Sequence, residues 1–475
     1  MSNQLTIQLL PKLPQSQFAK RRAKLAEALP NNSIAILQTA PAHIRNNDAE
    51  YKYRADSSFF YLTGFAEPES VMVLEKTDHT VNYTLFLREK DKLREIWDGK
   101  RVGLEGATAD FGVDKAIAIG KIDEVMPTLI FGKKHVFARF NNELIDWLNQ
   151  AKQLQRGEGM VDTVTNIDSL INEMRLIKDE SEIARMKVAA QISAYGHIRA
   201  MQSVAPLMQK NQGNESRLEA EVNYAFAQYG CVPSYNSIVA GGDNANILHY
   251  VENDQPLHDG DLVMIDAGAE YQHYAGDISR TFPVSGKFSD VQKQVYDIVL
   301  NANIAAINSL KAGEHGKIHH ETALKVLTQG LIELGILTGD VDELIADKAY
   351  LPFYMHGTGH WLGLDVHDAG RYTGDDGKPR KLEKGMVITV EPGLYFAHDN
   401  ALVPKKYRGI GIRIEDDVVI TEGEPLVLTR DVPKTTEAIE ALMQQKVVTS
   451  GTDSLSTMGV RLSGVRLSSS LCSRE

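Results

Sequence analysis

Four acidic side chains and one histidine occupy positions where a charged or polar group is costly unless something binds it. Each acid ends or interrupts an apolar, strand-like run, and an ionised side chain there needs an opposite charge or a cation. Oxygen-rich ligation with one imidazole suits manganese, cobalt, iron or zinc, and the lack of cysteine ligands disfavours a structural zinc site. The four acids, together with one of the downstream histidines, are therefore candidate ligands of a dinuclear metal site: Asp266, Asp277, Glu391 and Glu415, with His356, His360 or His367.

The first two acids are predicted to face each other across a hairpin. Asp266 ends an apolar run and Asp277 lies in the next one, with Tyr271 and Gln272 midway between them. If these two residues form the turn, the aspartates are directly opposed, with their Cβ atoms about 5 Å apart. Two such carboxylates repel each other by roughly 1 to 4 kcal/mol, depending on the effective dielectric constant. We therefore expect a cation between them.

Each candidate also has an ordinary structural explanation. An isolated aspartate at a strand end is more often a turn or cap residue, and Glu415 could simply pair with Arg413 or Arg408. Two histidines four residues apart can bind zinc on a helix, but Gly357 and Gly359 argue against a helix in the HGTGH segment. Spacing alone leaves a metal site and these structural roles both open.

The elements that would position the candidates lie in the second half of the chain. A long helix is predicted to begin near Asp179, and others over residues 215–229, 289–311 and 319–334. Strands are predicted in the segments DLVMIDAGAEYQHYAGDISRTFPV, GMVITVEPGLYF and GIGIRIEDDVVIT. This part is predicted to be an α+β catalytic domain spanning residues 177–446.

The first part of the chain shows a different pattern, in which short apolar runs alternate with helical ones. The runs SIAILQT, SVMVLEK, YTLFLRE and KHVFARF are typical of strands, and residues 143–154 of a helix. They predict an N-terminal α/β domain over residues 1–176. Lys20 to Leu29 is predicted to form its first helix, with a transit peptide as the alternative for this basic stretch. The serine-rich residues 447–475 are predicted to be a flexible tail.

The composition is that of a folded protein with small or cationic partners. A chain of 475 residues is 43% apolar and 24% charged, which fits two globular domains. A formal net charge of −12 gives no general footprint for nucleic acid, and no apolar run approaches the length of a membrane span. The only cysteines, Cys231 and Cys472, suggest no disulfide framework. We therefore expect a cytoplasmic protein with neither nucleic-acid nor membrane partners.

Several segments together resemble the proline-specific metallopeptidases of the pita-bread fold, the bacterial aminopeptidase P family in particular. Those of the second domain are DAGAEYQHYAGDISRTFPVSGKF, MHGTGHWLGLDVHD, MVITVEPGLYF and YRGIGIRIEDDVVIT. The resemblance extends through PSYNSIVAGGDNANILHY and, in the first domain, NNDAEYKYRADSSFFYLTGFAEPESVMVL and REIWDGKRVG. It covers about residues 15 to 445. It implies a pita-bread (creatinase/aminopeptidase) catalytic domain behind an N-terminal α/β domain.

The resemblance also implies a role for each candidate ligand. Asp266 would ligate one of two divalent ions, Asp277 and Glu415 would bridge both, and His360 with Glu391 would complete the other. The ions would most often be manganese, with cobalt, iron or zinc as alternatives. They would activate a bridging water and polarise the scissile carbonyl, while Glu391 shuttles the proton.

Other residues match family positions around the ligands. His367 and His249 would line the substrate pocket and steady the tetrahedral intermediate, and His356 would lie near the proline side. Arg413 would hold Asp266 from behind. Further positions near the active site are matched by Tyr395, Tyr235, Asp48 and Trp97, the last two belonging to the first domain.

The implied substrates are peptides with proline at the second position, and the implied assembly is a homo-oligomer, either a dimer or a tetramer. An Xaa-Pro bond is a tertiary amide, so it needs both a pocket for the ring and an activated carbonyl. The alternative enzyme is the Xaa-Pro dipeptidase prolidase, which shares the five ligands; methionine aminopeptidase usually lacks so large a first domain. The alternative from another class is a non-catalytic pita-bread binding protein, which would be expected to have lost ligands.

Overall fold

The computed structural model describes residues 7–154, 160–445 and 447, which form two compact units. The N-terminal unit comprises residues 11–181 and 368–378, and the C-terminal unit comprises the remaining described residues. Helices and strands occur in both, which confirms the predicted α+β class. The predicted tail lies outside the described residues except for Val447, and the functional domain boundaries stay predictions.

The N-terminal unit is built on a six-stranded mixed sheet with the order β6-β5-β4-β1-β7-β8. The four strand-like runs of the sequence form β1, β4, β5 and β7, which confirms their prediction. Its helices are α1 (Gln15–Ala28), α2 (Ser57–Thr63), α3 (Arg94–Asp98), α4 (Gly103–Asp110), α5 (Ile122–Ile130), α6 (Asn142–Gln153) and α7 (Asp168–Leu176). Its strands are β1 (Ser33–Gln38), β2 (Ile44–Asn46), β3 (Ala49–Glu50), β4 (Val71–Lys76), β5 (Val81–Leu87), β6 (Lys115–Ala118), β7 (His135–Ala138) and β8 (Thr163–Asn166).

A buried ion triplet joins the two chain segments of the N-terminal unit. The carboxylate of Asp368 lies 2.5 Å from Arg175 Nη2 and 2.8 Å from Lys178 Nζ, and all three side chains are at most 5% exposed. Burial alone would raise the pKa of Asp368, but the two cations lower it below its usual value. Residues 368–378 are thus tied by charge to residues far earlier in the chain.

The C-terminal unit surrounds small antiparallel sheets with helices. Its sheets have the orders β10-β11-β14, β13-β12-β9, β15-β18-β19 and β16-β17. Its helices are α8 (Glu180–Gln209, in this unit from Glu182 onward), α9 (Glu215–Gln228), α10 (Asp290–Ser309), α11 (Ile318–Glu333), α12 (Val341–Ala346) and α13 (Thr436–Met443). Its strands are β9 (Val232–Pro233), β10 (Ile238–Gly241), β11 (Leu262–Asp266), β12 (Ala269–Tyr271), β13 (Tyr274–Ala275), β14 (Ser279–Pro283), β15 (Val387–Val390), β16 (Gly393–Phe396), β17 (Ile410–Arg413), β18 (Asp416–Val419) and β19 (Leu426–Val427).

A large apolar core packs these helices and sheets together. Helices α8, α9, α10 and α11 each contribute a buried face to it, and inward-facing residues of β11, β14, β16 and β17 complete it. Helix α10 begins with a capping box, in which Ser289 and Gln292 satisfy each other's backbone N–H groups. Across residues 7–154, 160–445 and 447, no helix has both the length and the apolar character needed to span a membrane.

The predicted opposition of the two aspartates is wrong by two residues. Asp266 pairs with Ser279 in the β11–β14 ladder, and Asp277 lies just before β14 rather than within it. The turn is formed by Gln272 and His273, whose φ angles of 49° and 71° are those of a left-handed turn. Because side chains alternate along a strand, a shift of two residues keeps both carboxylates on the same face, as diagonal neighbours.

Candidate metal centre

The five predicted ligands line one cavity of about 520 Å³ in the C-terminal unit. Asp266 is the last residue of β11, and Asp277 precedes β14. Glu391 lies in the link between β15 and β16, and Glu415 in the link between β17 and β18. His360 belongs to the irregular segment before β15, so the prediction that HGTGH is not helical is confirmed. Strand ends and loops deliver all five side chains.

A tyrosine hydroxyl joins the two aspartates. The hydroxyl of Tyr235 lies 2.6 Å from Asp266 Oδ1 and 2.5 Å from Asp277 Oδ1. It can donate its single proton to only one of them at a time. Burial, and then the charges of the aspartates, raise the pKa of Tyr235 well above its usual value, so the phenol keeps that proton. The two carboxylates therefore lie close enough to share one partner.

The tightest group of ligand atoms comes from three different parts of the chain. One atom each from Asp277, His360 and Glu415 lies within 4.8 Å of the other two. His360 Nε2 is 3.5 Å from Asp277 Oδ2 and 3.7 Å from Glu391 Oε1. These separations are too long for hydrogen bonds but suit ligands arranged around a common ion.

The imidazole of His360 is oriented by backbone contacts. Its Nδ1 lies 3.0 Å from the carbonyl oxygen of Trp361, which can only accept, so Nδ1 carries the proton. The backbone of His360 forms two hydrogen bonds with Thr389 of β15. The backbone N–H of Thr389 donates to the His360 carbonyl oxygen at 2.9 Å, and the backbone N–H of His360 donates to Thr389 Oγ1 at 3.1 Å. Nε2 is therefore the basic nitrogen, and it faces the carboxylates as a metal ligand must.

The electrostatics of the cavity call for positive charge. Burial raises the pKa of Glu391 to about 7, with Asp277 and Asp266 adding to the effect. Burial and neighbouring carboxylates also raise the pKa values of Glu415 and Asp277. Divalent cations would stabilise these groups as carboxylates, and hard oxygen donors with one imidazole are the ligands that such ions take. The residues present therefore fit a metal centre.

Arg413 supports the carboxylates from behind. Its Nη2 donates to Asp266 Oδ2 at 2.5 Å and its Nε to Ser279 Oγ at 2.9 Å. The hydroxyl of Ser279 in turn donates to Glu415 Oε2 at 2.7 Å. One guanidinium thus orients Asp266 directly and Glu415 through a hydroxyl, in the manner typical of the groups around a metal site.

Three further histidines line the same cavity. His356 accepts a hydrogen bond at Nε2 from the hydroxyl of Tyr395, at 2.8 Å, and that hydroxyl accepts from Arg413 Nη1 at 3.2 Å. The pKa of His356 is lowered to about 3, mainly by burial and secondarily by the charge of Arg413. The pKa of His367 is also lowered, mainly by burial and secondarily by His360. Both are therefore neutral at physiological pH. His249 is exposed at the rim.

The two candidates from the N-terminal unit lie at its surface. Asp48 is in the turn between β2 and β3, and Trp97 is in the short helix α3. Both side chains are exposed, Trp97 to 84%. Their assignment to the active site stays a prediction.

Sequence reasoning missed three residues that hold the site together, namely Ser279, Asn303 and Glu215. Glu215 is fully buried and accepts four hydrogen bonds, from Gly241 N, Asn244 Nδ2, Tyr250 Oη and Gln255 N, at 2.8 to 2.9 Å. It thereby fixes the segment that carries His249. A polar residue at a position that patterning assigns to the core is the only signal that could have drawn attention to Glu215 or Asn303.

Comparisons with known protein families match both parts of the chain. Residues 184–422 match the model of metallopeptidase family M24, and residues 18–137 match the model of the aminopeptidase P N-terminal domain. The first match contains every candidate ligand.

Individual relatives match over almost their entire length. The chain is 46% identical over 439 residues to a Xaa-Pro aminopeptidase of Haemophilus influenzae, covering 91% of this chain and 98% of that protein. It is similar to the structure of the Pseudomonas aeruginosa aminopeptidase PepP, with a TM-score of 0.87, 49% identity and coverage of 91% and 99%. It is also similar to zinc-substituted Escherichia coli aminopeptidase P in complex with product, with a TM-score of 0.87, 44% identity and the same coverage.

Proposed function

This chain belongs to metallopeptidase family M24, and we propose that it holds two divalent metal ions and uses them to remove the N-terminal residue from peptides whose second residue is proline. The activity is that of a Xaa-Pro aminopeptidase, a hydrolase. The observation that carries the proposal is the convergence of four carboxylates and one imidazole on a single cavity. The proposed ligands are those predicted from the sequence: Asp266, Asp277, His360, Glu391 and Glu415.

Bound divalent ions supply Lewis acidity, which lowers the pKa of water towards neutrality and polarises a carbonyl. The chain itself moves the proton. Glu391, which lines the cavity beside the other proposed ligands, is the carboxylate that would take a proton from water and return it to the leaving amine. His356 Nδ1 lies 3.7 Å from Glu391 Oε2, so a neutral imidazole flanks that carboxylate. Neutral His367 can donate a hydrogen bond to a developing oxyanion without adding charge. The single N–H of neutral His356, on Nδ1, donates instead to the carbonyl oxygen of Gly357.

The cavity also suits the shape of the scissile bond. A Xaa-Pro amide has no N–H, so binding cannot depend on a hydrogen bond from that nitrogen. Apolar side chains on the cavity wall, those of Ile238, Leu248, Val251 and Val366, can contact an apolar ring. Acidic groups nearby favour a substrate ammonium.

We further propose that the ions are manganese, with cobalt, iron or zinc as substitutes, and that the protein is a cytoplasmic homo-oligomer, either a dimer or a tetramer. Oxygen-rich ligation supports manganese. The low cysteine content, two residues in 475, is compatible with a reducing compartment. The oligomer and the contributions of Asp48 and Trp97 rest on the family resemblance.

An assay on Xaa-Pro peptides of increasing length tests this function. We expect tripeptides and longer peptides to be cleaved at the first bond, activity to vanish on chelation, and activity to return when Mn²⁺ is added back. Hydrolysis restricted to dipeptides would indicate a dipeptidase instead. A pure sample without stoichiometric metal and without peptidase activity would indicate a binding protein.

A further inference from the structure

A single buried asparagine contacts the chain next to two of the proposed ligands. Asn303 lies in the second half of α10, and its side chain is inaccessible to solvent. Its Nδ2 donates to the carbonyl oxygen of Val390 at 3.0 Å and to that of Ile414 at 3.2 Å. These residues directly precede Glu391 and Glu415. One side-chain amide therefore holds both segments where each delivers its carboxylate.

The two segments need such a donor because the sheet is interrupted there. The β15–β18 ladder ends with Val390 paired to Asp416, and the β16–β17 ladder begins with Gly393 paired to Arg413. Two pairs of residues fall outside both ladders: Glu391 and Pro392 in the segment between β15 and β16, and Ile414 and Glu415 in the segment between β17 and β18. Buried carbonyl groups beside such a break must find another hydrogen-bond donor.

The orientation of the amide is fixed from its other side. Asn303 Oδ1 accepts a hydrogen bond from Lys434 Nζ at 2.8 Å, and this ammonium lies 2.7 Å from Asp416 Oδ2. Asp416 is also paired with the buried Arg280, at 2.8 Å. An ammonium has no acceptor, so the amide cannot turn its nitrogen towards Lys434. The two N–H donors must point at the two carbonyls.

We infer that Asn303 is a positioning residue of the metal centre, which sets the separation of the Glu391 and Glu415 carboxylates and thereby the affinity for divalent ions. The inference rests on the proposed function, because it takes these two glutamates as ligands. Groups that orient ligands from outside a metal site typically change metal affinity 10- to 100-fold when they are lost. The hydrogen bonds of Asn303 described above are all made to protein groups, so its proposed role is to position the ligands and not to bind the substrate.

The test compares Mn²⁺ binding to the metal-free protein in matched variants, measured by titration calorimetry. Asn303→Leu keeps the approximate size but removes both donors, and Asn303→Asp turns an oxygen towards the carbonyls in case the leucine variant does not fold. Val299→Ala is the control, since Val299 is buried one turn earlier on the same helix and its loss affects packing alone. Thermal unfolding of each variant reports its stability separately.

We expect either Asn303 variant to bind Mn²⁺ about 10- to 100-fold more weakly, and Val299→Ala to lose stability with unchanged affinity. Saturating Mn²⁺ should restore much of kcat in the Asn303 variants and leave KM for the peptide unaltered. Wild-type affinity in a folded Asn303 variant would overturn the inference while leaving the proposed function standing. Failure of the wild-type protein to bind Mn²⁺ would instead overturn the proposed function.

Discussion

Asp266 is the proposed ligand whose removal separates metal binding most clearly from folding. Its carboxylate is held by Arg413 and Tyr235, which keep other partners in the same network. We expect Asp266→Ala to abolish peptidase activity and to lower the bound metal from the proposed two ions to at most one per chain, with the circular dichroism spectrum unchanged. Elemental analysis and a Xaa-Pro peptide assay check this.

The matched control is Asp261→Ala, which removes an acid just before the opposite end of β11 and outside the metal cavity. It should keep both metal and activity. Full activity in the Asp266 variant would remove this residue from the metal site.

Buried neutral histidines predict how stability responds to acid. Burial lowers the pKa of His197 to about 4, whereas the unfolded chain has the usual value of about 6.5. As the pH falls below 6.5, the unfolded chain takes up a proton first, so the free energy of unfolding decreases until the pH reaches about 4. For His197 alone the loss at pH 5 is about 2 kcal/mol. His319, whose pKa burial lowers to about 3, acts in the same direction.

Urea denaturation at pH 7.5 and pH 5, with chelator present throughout, measures this loss. His197→Gln should show a smaller difference between the two pH values than the wild type. His79→Gln, at an exposed position, should show the wild-type difference. Equal differences in all three proteins would contradict the assignment.

The segment between β10 and β11 depends on the single carboxylate of Glu215. Glu215→Gln replaces one acceptor oxygen by an amino group, which then faces N–H or O–H donors. Leaving buried donors unsatisfied costs about 1–3 kcal/mol. Because this segment carries His249 but no proposed metal ligand, we expect KM for the peptide to rise several-fold, kcat to fall by a smaller factor and metal content to change little.

Steady-state kinetics at saturating Mn²⁺ checks this prediction. Glu219→Gln, a partly exposed change on the same helix α9, is the control and should leave KM alone. A fall in kcat at unchanged KM in the Glu215 variant would show that the segment acts on the chemical step instead.

Across the whole molecule, the sequence predicted most elements because their patterns are local. Four of the six strands of the N-terminal sheet, β1, β4, β5 and β7, and the helices α8 to α11 follow from apolar periodicity and end signals. The acids are recognisable as candidates because a charged residue rarely interrupts an apolar run. Bringing five such groups together required the family resemblance, since no local pattern fixes which strand ends meet.

What could not be predicted depends on long-range contacts. The hairpin register failed because Gln272 and His273 adopt left-handed conformations without the glycine or asparagine that usually marks such a turn. Asn303 is a polar residue at a buried position of helix α10. No residue near it in the sequence indicates that its side chain donates hydrogen bonds to the carbonyl oxygens of Val390 and Ile414. The ion triplet of Asp368 pairs residues about 190 positions apart.

That triplet limits how the polypeptide can be divided. A fragment ending at residue 181 would contain Arg175 and Lys178 but not Asp368, so two buried cations would lose the carboxylate with which both form ion pairs. Deleting residues 368–378 from the full chain would likewise remove Asp368 and leave Arg175 and Lys178 without this carboxylate. A truncated protein meant to contain the N-terminal unit must therefore include residues 368–378 as well as residues 11–181. The chain passes between the two units more than once.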